Sequence, residues 1–251
     1  MKKLIISFSL LITLFSMDLN KYGIVLSSTN MEFVMKKIFK KFYQKYPNDH
    51  ILVQYESTGK AVKDILNGYP YDMFLSADKK GALKVYNAHK AVTKPKLYTK
   101  GSLIIFFKNL NDKNYNFLKN KKIKKILIGN KQQTVYGNRT IEVLKNLHLY
   151  EKIKNKIEYK KNIAEVVDDV IWSKNKVAFI PKSAINLLPS KYNKKGINWI
   201  EINPKLYSPI NQYFVISKKG LKKKSVRDFA HFLLSKEGQK ILTSNGYLPI
   251  K

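Results

Sequence analysis

The chain has 251 residues, 44% of them hydrophobic and 12% aromatic, enough for a folded core in one large domain or two smaller ones and too much for a disordered chain. Its 48 Lys and Arg outnumber 17 Asp and Glu to give a formal charge of +31, which suggests an anionic partner: nucleic acid, lipid or a small anion. Nucleic acid is excluded as the leading reading because the lysines are spread along the whole chain, while arginine, the residue that reads bases and forks onto phosphate, occurs only as Arg139 and Arg227. There is no cysteine, hence no disulfide framework, thiolate metal site or lipidated Cys, and the four histidines are too scattered for metal-ligand spacing.

Met1 to Met17 has the form of a secretory signal: Lys2 and Lys3, then an apolar run from Leu4 to Phe15. Only Ser16 suits a cleavage point, so an uncleaved membrane anchor is the alternative to cleavage, although the run is short for a span of ~20 residues. The mature chain begins with a predicted strand at Tyr22 to Leu26, the polar turn Ser27-Ser28-Thr29-Asn30, and a helix with Phe33, Val34, Ile38 and Phe42 on one side. Ile51 to Tyr55 is a second strand, and Ser57-Thr58-Gly59 opens a helix carrying Ala61, Val62, Ile65 and Leu66 that stops at Gly68. Met73-Phe74-Leu75 is a third, buried strand. Strand, polar turn and helix in alternation predict a mostly parallel sheet, with ligands at the carboxyl ends of the strands.

Leu103 to Phe107 is another apolar run, and the Lys/Asn-rich stretch from Lys108 to Lys125 marks a passage into a second lobe. There the plan repeats: a strand at Ile126 to Gly129, a polar turn from Gln132 to Gly137, a helix from Arg139 to Leu147, and a strand at Ile157 to Lys160. Asn162 then caps a helix with Ile163, Val166, Val167, Val170 and Ile171, followed by a strand at Val177 to Pro181. A strand from Ser208 to Ile216 returns the chain to the first lobe, and a helical closing segment ends at Gly246. The expected division is a signal peptide at 1–17, one lobe from 20–100 plus 208–251, and the other from 101–207.

Four places share one form: Thr29-Asn30, Ser57-Thr58-Gly59, Val135-Tyr136-Gly137 and Asn162-Ile163. The first N–H groups of a helix lack intrahelical partners, and the helix dipole favours negative charge beside them. Two such starts in each lobe, facing across a cleft, would hold one buried anion with neutral donors, avoiding the several kcal/mol that desolvating a second ion costs. A donor-only site also discriminates against hydrogenphosphate, whose proton needs an acceptor. Pattern alone fits ordinary helix caps in an ordinary α/β protein equally well. The sequence STGK is not a phosphate loop, since no glycine precedes it at the required spacing.

STGKAVKDILNGYPYDMFLSAD (57–78), IGNKQQTVYGNRTIEVLKNLHLYEKIKNKI (128–157) and FLLSKEGQKILTSNGY (232–247) resemble the periplasmic molybdate-binding proteins of ABC importers, over about residues 21 to 249. That resemblance implies an α/β, two-lobed type-2 periplasmic-binding fold, each lobe a mostly parallel sheet flanked by helices. It also implies oxyanion ligands: Thr29 and Asn30 from the first turn, the hydroxyl of Thr58 from the second, and backbone N–H groups from Tyr136 and Ile163. Ser28, Ser57, Gly59 and Gly137 would stand behind them. Some relatives add a tyrosine hydroxyl where this chain has Pro181, which offers neither hydroxyl nor N–H. Lys60 should turn its amine away from the anion.

The expected protein is therefore a periplasmic, monomeric substrate-binding protein that captures molybdate or tungstate and delivers it to ABC permease subunits. It has no cofactor and touches the metal only through the oxyanion's oxygens. The nearest alternative is a binder specific for tungstate or for another small oxyanion on the same fold. An enzyme is disfavoured because no nucleophile–base or paired-carboxylate arrangement is visible.

Overall fold

In the computed structural model, which describes residues 22–108 and 114–250, the apolar runs build two five-stranded sheets. The signal-like segment 1–17 lies outside the described residues. The first sheet holds β1 (Gly23–Ser28), β2 (Ile51–Glu56), β3 (Met73–Ser76) and β4 (Lys96–Gly101). The second holds β5 (Leu103–Phe106), β6 (Lys125–Gly129), β7 (Ile157–Lys160), β8 (Lys176–Pro181) and β9 (Trp199–Glu201), after which β10 (Ile210–Ile216) returns to the first. The spatial orders are β2-β1-β3-β10-β4 and β7-β6-β8-β5-β9. In each sheet three neighbouring strands run parallel, and the strand that has just crossed from the other sheet, β10 or β5, is the antiparallel one. Ser102 alone separates β4 from β5, so one crossing between lobes takes a single residue.

The helices are α1 (Glu32–Lys45), α2 (Thr58–Leu66), α3 (Lys79–Asn87), α4 (Val135–Asn146), α5 (Tyr150–Ile153), α6 (Ile163–Trp172), α7 (Lys218–Lys222), α8 (Lys224–Leu234) and α9 (Lys236–Ser244). Successive side chains of a strand face opposite sides, so a strand apolar throughout is covered on both. Val25, Met73, Leu75, Phe214 and Ile216 point to one side of the first sheet, into a core shared with Phe42, Phe229 and Phe232. Leu26, Phe74 and Val215 point to the other, against Ala61, Ile65 and Val85. Phe42 meets Phe229 edge-on at a centroid distance of 5.2 Å, a geometry that adds to simple burial. The second lobe has its own core around Ile126, Ile128, Val167 and Phe179, and Phe33 and Ala77 of the first lobe are buried in that same cluster. The lobes are thus in apolar contact.

Most predicted elements appear within a residue or two. Gly68 and Gly246 terminate their helices at φ +93° and +89°, a backbone region that suits glycine. One predicted boundary is corrected: α4 begins at Val135, not Arg139, because Thr134 caps it by accepting the Gly137 N–H at 3.0 Å. Tyr136 therefore lies inside the first turn of the helix. Sequence reading also passed over α3, whose cap Asp78 accepts the Gly81 N–H at 2.6 Å, and β4, where Tyr98 and Thr99 are buried side by side and no alternation shows.

Asp169 on α6 ties β7 and β8 to that helix, accepting from Lys160 at 2.6 Å and from Lys176 at 2.8 Å. Burial alone would raise its pKa, but Lys160, Lys176 and Ser173 outweigh that and bring it to about 2. A carboxyl depressed on folding contributes stability above its unfolded pKa and loses it as pH falls toward the folded value. Chemical denaturation should therefore find Asp169→Asn less stable than the parent at pH 6, with the gap closing by pH 2. A gap unchanged between the two pH values would show that the ion pairs contribute nothing.

Candidate functional site

After the carboxyl ends of β1, β2, β6 and β7 the chain passes, through connections of one to five residues, into α1, α2, α4 and α6, so four helix starts sit on facing edges of the two sheets. Thr29 to Met31 form a tight 3-10 turn leading into α1, and α6 lies against that turn. The Ser28 and Thr58 hydroxyls are 2.8 Å apart, joining the first and second starts. The Gly59 N–H donates to the Gln133 carbonyl at 2.8 Å, a backbone bond between the lobes that joins the second start to the loop before α4. Ile163 and Thr134 both press on Gly129, where an added Cβ would lie 3.0 Å from Ile163 Cδ1 and 2.4 Å from Thr134 Oγ1. All five residues expected to hold the ligand, Thr29, Asn30, Thr58, Tyr136 and Ile163, are buried.

Their hydrogen bonds differentiate them. Thr29 is only 6% exposed, yet its Oγ1 has no partner within the protein. A buried hydroxyl left without a partner costs ~1–3 kcal/mol, which points to a ligand there. The Asn30 carboxamide is committed internally: its Nδ2 donates to Gln212 Oε1 at 3.0 Å and to Tyr247 Oη at 3.2 Å, while Tyr247 Oη donates to the Asn30 carbonyl at 2.8 Å. Asn30 consequently has its backbone N–H, not its side chain, to offer.

Thr58 Oγ1 accepts the Ala77 N–H at 3.3 Å, and the Ser28 hydroxyl lies 2.9 Å from the Leu75 carbonyl. Ser28 has one proton for two acceptors. When it serves Leu75, Thr58 donates to Ser28; when it turns to Thr58, the Thr58 proton is released toward a ligand. Ser57 occupies the cap position of α2 without making a side-chain cap bond.

In α4 and α6 the capping side chains take the third N–H group and leave the first two. Thr134 binds Gly137, leaving Val135 and Tyr136, and Asn162 binds Glu165 at 3.0 Å, leaving Ile163 and Ala164. Gly59 and Gly137 thus have their N–H groups occupied and serve by close approach instead. Pro181 ends β8 opposite Leu103. Lys60 is half-exposed and held by Glu56 at 2.7 Å and Asp64 at 2.5 Å, so its charge is neutralised along the outer face of α2.

No charged side chain belongs to the five residues named. Cations stand instead in an adjoining cleft of about 560 Å³ that reaches Thr58 and Thr134 and is lined by Lys79, Lys80, Lys84, Lys131 and Arg139. Burial pushes the phenols of Tyr98 and Tyr136 upward and that of Tyr247 to about 12, so all three are neutral hydroxyls near pH 7. Among the described residues no group of three or more His, Cys, Asp or Glu could hold a metal ion. The sequence reading missed Thr134, Gln212 and Tyr247. Of these, Gln212 carried the only signal, a polar pair with Asn211 inside the otherwise apolar strand INQYFVI, of which Gln212 is the buried member.

Residues 24–248 match the family described as bacterial extracellular solute-binding protein. The chain belongs to that family. Two relatives of this solute-binding protein are molybdate-binding proteins ModA. That of Azotobacter vinelandii is 25% identical over 88% of this chain and 87% of its own length. That of Rhodobacter capsulatus is 26% identical over 76% of this chain and 74% of its own. Among solved structures, the periplasmic molybdate-binding protein of Azotobacter vinelandii superposes with a TM-score of 0.82, covering 91% of this chain and all of the other at 21% identity. That similarity carries the fold, which is the two-lobed type-2 periplasmic-binding architecture.

Proposed function

We propose that this solute-binding protein captures a fully ionised tetrahedral oxyanion, molybdate or tungstate, between its lobes and delivers it to the membrane subunits of an ABC importer. The observation that carries this reading is the Thr29 hydroxyl, buried and without a protein partner where helix starts from both lobes meet. The donors are the hydroxyls of Thr29 and Thr58 and the N–H groups of Asn30, Tyr136 and Ile163. Each bond to a charged group contributes ~1.5–3 kcal/mol. The names of the two ModA relatives support the choice of oxyanion.

The two lobes, residues 20–100 with 208–251 and residues 101–207, close on the anion about the crossings at β4–β5 and before β10. The protein works outside the cytoplasmic membrane as a monomer, exported by the segment 1–17, and catalyses no reaction. The strongly positive charge, formally +31 over the whole sequence, speeds encounter with a dianion, while the neutral donors set selectivity.

Calorimetric titration with molybdate, tungstate, sulfate and phosphate tests the reading. Sub-micromolar binding of the first two without heat from the others is expected, and tight sulfate binding would overturn it. Thr58→Val keeps the shape and removes the hydroxyl, and it should weaken molybdate binding at least roughly tenfold, the loss of one bond to an ion. Unchanged affinity would remove Thr58 from the donor set.

A further inference from the structure

Gln212 is fully buried in β10, the strand that brings the chain back from the second lobe, and the pairing of β10 with β4 slips at Gln212/Tyr213. Such a slip re-aims the side chain of the bulged strand. The Gln212 carboxamide makes three bonds. Its Oε1 accepts from Asn30 Nδ2 and from Tyr98 Oη, both at 3.0 Å, and its Nε2 donates to Tyr136 Oη at 3.3 Å. Asn30 and Tyr98 belong to the first lobe and its crossing strand, whereas Tyr136 belongs to the first turn of α4 in the second. The Tyr136 hydroxyl fits there only because residue 101 is glycine: a Cβ at Gly101 would sit 2.1 Å from Tyr136 Oη and 3.0 Å from Gln212 Nε2.

We infer that Gln212 is a positioning residue for anion capture, fastening the Thr29-Asn30 turn of one lobe to the Tyr136 helix start of the other without touching the ligand. Two of its three bonds lie within the first lobe and persist when the lobes part. The third, to Tyr136, exists only when they meet. Gln212 therefore holds Asn30 so that its N–H faces the ligand, and it adds a neutral latch that slows reopening. The latch is uncharged, and burial keeps both phenols that bind Gln212 protonated. Its strength is consequently insensitive to salt and to pH near neutrality.

This role rests on the oxyanion reading, and the test separates the two. Molybdate binding and dissociation rate are measured for the full mature protein and for Tyr136→Phe, Gln212→Met and the double variant, with the thermal midpoint of each anion-free protein. Tyr136→Phe keeps the ring and the backbone N–H and deletes only the latch, so dissociation should quicken about three- to tenfold, as for one neutral hydrogen bond, with an unchanged anion-free midpoint. In the Gln212→Met background the same change should add nothing, because the bond is already gone. Parental dissociation from Tyr136→Phe, or an undiminished effect on top of Gln212→Met, overturns the latch while leaving the oxyanion site standing. A parent protein that binds no molybdate overturns both.

Discussion

Gly137→Ala is expected to raise the dissociation constant for molybdate about 100-fold while leaving a folded protein. A Cβ at this position would stand 2.0 Å from the Gly129 carbonyl oxygen and 2.6 Å from its carbon. Both are backbone atoms at the end of β6, so no rotamer change relieves the clash, and the start of α4 has to move away from the sheet. That shift carries the Tyr136 N–H out of line, and a lost bond to an ion is ~1.5–3 kcal/mol, with each 1.4 kcal/mol a factor of ten. It also pulls the Gly137 N–H off its cap on Thr134, now 3.0 Å long. Titration calorimetry measures the first effect, and circular dichroism checks that the helices persist. Affinity within threefold of the parent would mean that the start of α4 does not contact the anion.

Asp72→Ala should be the most damaging single change to stability away from the site. Asp72 Oδ2 accepts from the Ile24 N–H at 2.8 Å and from Lys223 Nζ at 2.6 Å, and Lys223 Nζ also donates to the Tyr22 carbonyl at 2.6 Å. The carboxylate side chain is 2% exposed and the lysine 10%. A buried pair is itself weak evidence of net stabilisation, but deleting one partner strands a desolvated charge, at a cost of about 3–5 kcal/mol. The Ile24 N–H loses its partner as well, near the start of β1, an interior strand of the first sheet. The urea midpoint should fall accordingly, and Asp72→Ala combined with Lys223→Met should recover part of the loss. A double variant no more stable than the single one would place the damage in the backbone contacts instead.

The general plan was legible because it is written in local patterns. Ser57-Thr58-Gly59 before Ala61, Val62 and Ile65 reads as a helix start without any knowledge of its surroundings, and so does Asn162 before Ile163 and Val166. Alternation of apolar runs with such turns predicts a sheet and the edge where ligands bind. The roles of individual donors were not legible, because they depend on partners remote in sequence. Nothing in the sequence says which group of Asn30 is free to donate, since Gln212, 182 positions away, and Tyr247, 217 away, take both of its amide protons. Thr134 looks like one more polar residue of a loop until its bond to Gly137 fixes the first turn of α4. Where the helix start is irregular, as at Val135, periodicity points too late, since Asn138 and Arg139 interrupt the apolar face.

The place of β10 between β3 and β4 governs the order in which the molecule can be assembled. The second sheet is complete once residues 103 to 201 are available, but the first lacks an interior strand until residues 210 to 216 arrive. During synthesis the earliest part of the chain is thus obliged to wait for nearly the last. Pairings that distant in sequence are slow to form. The first sheet is therefore the later of the two to close.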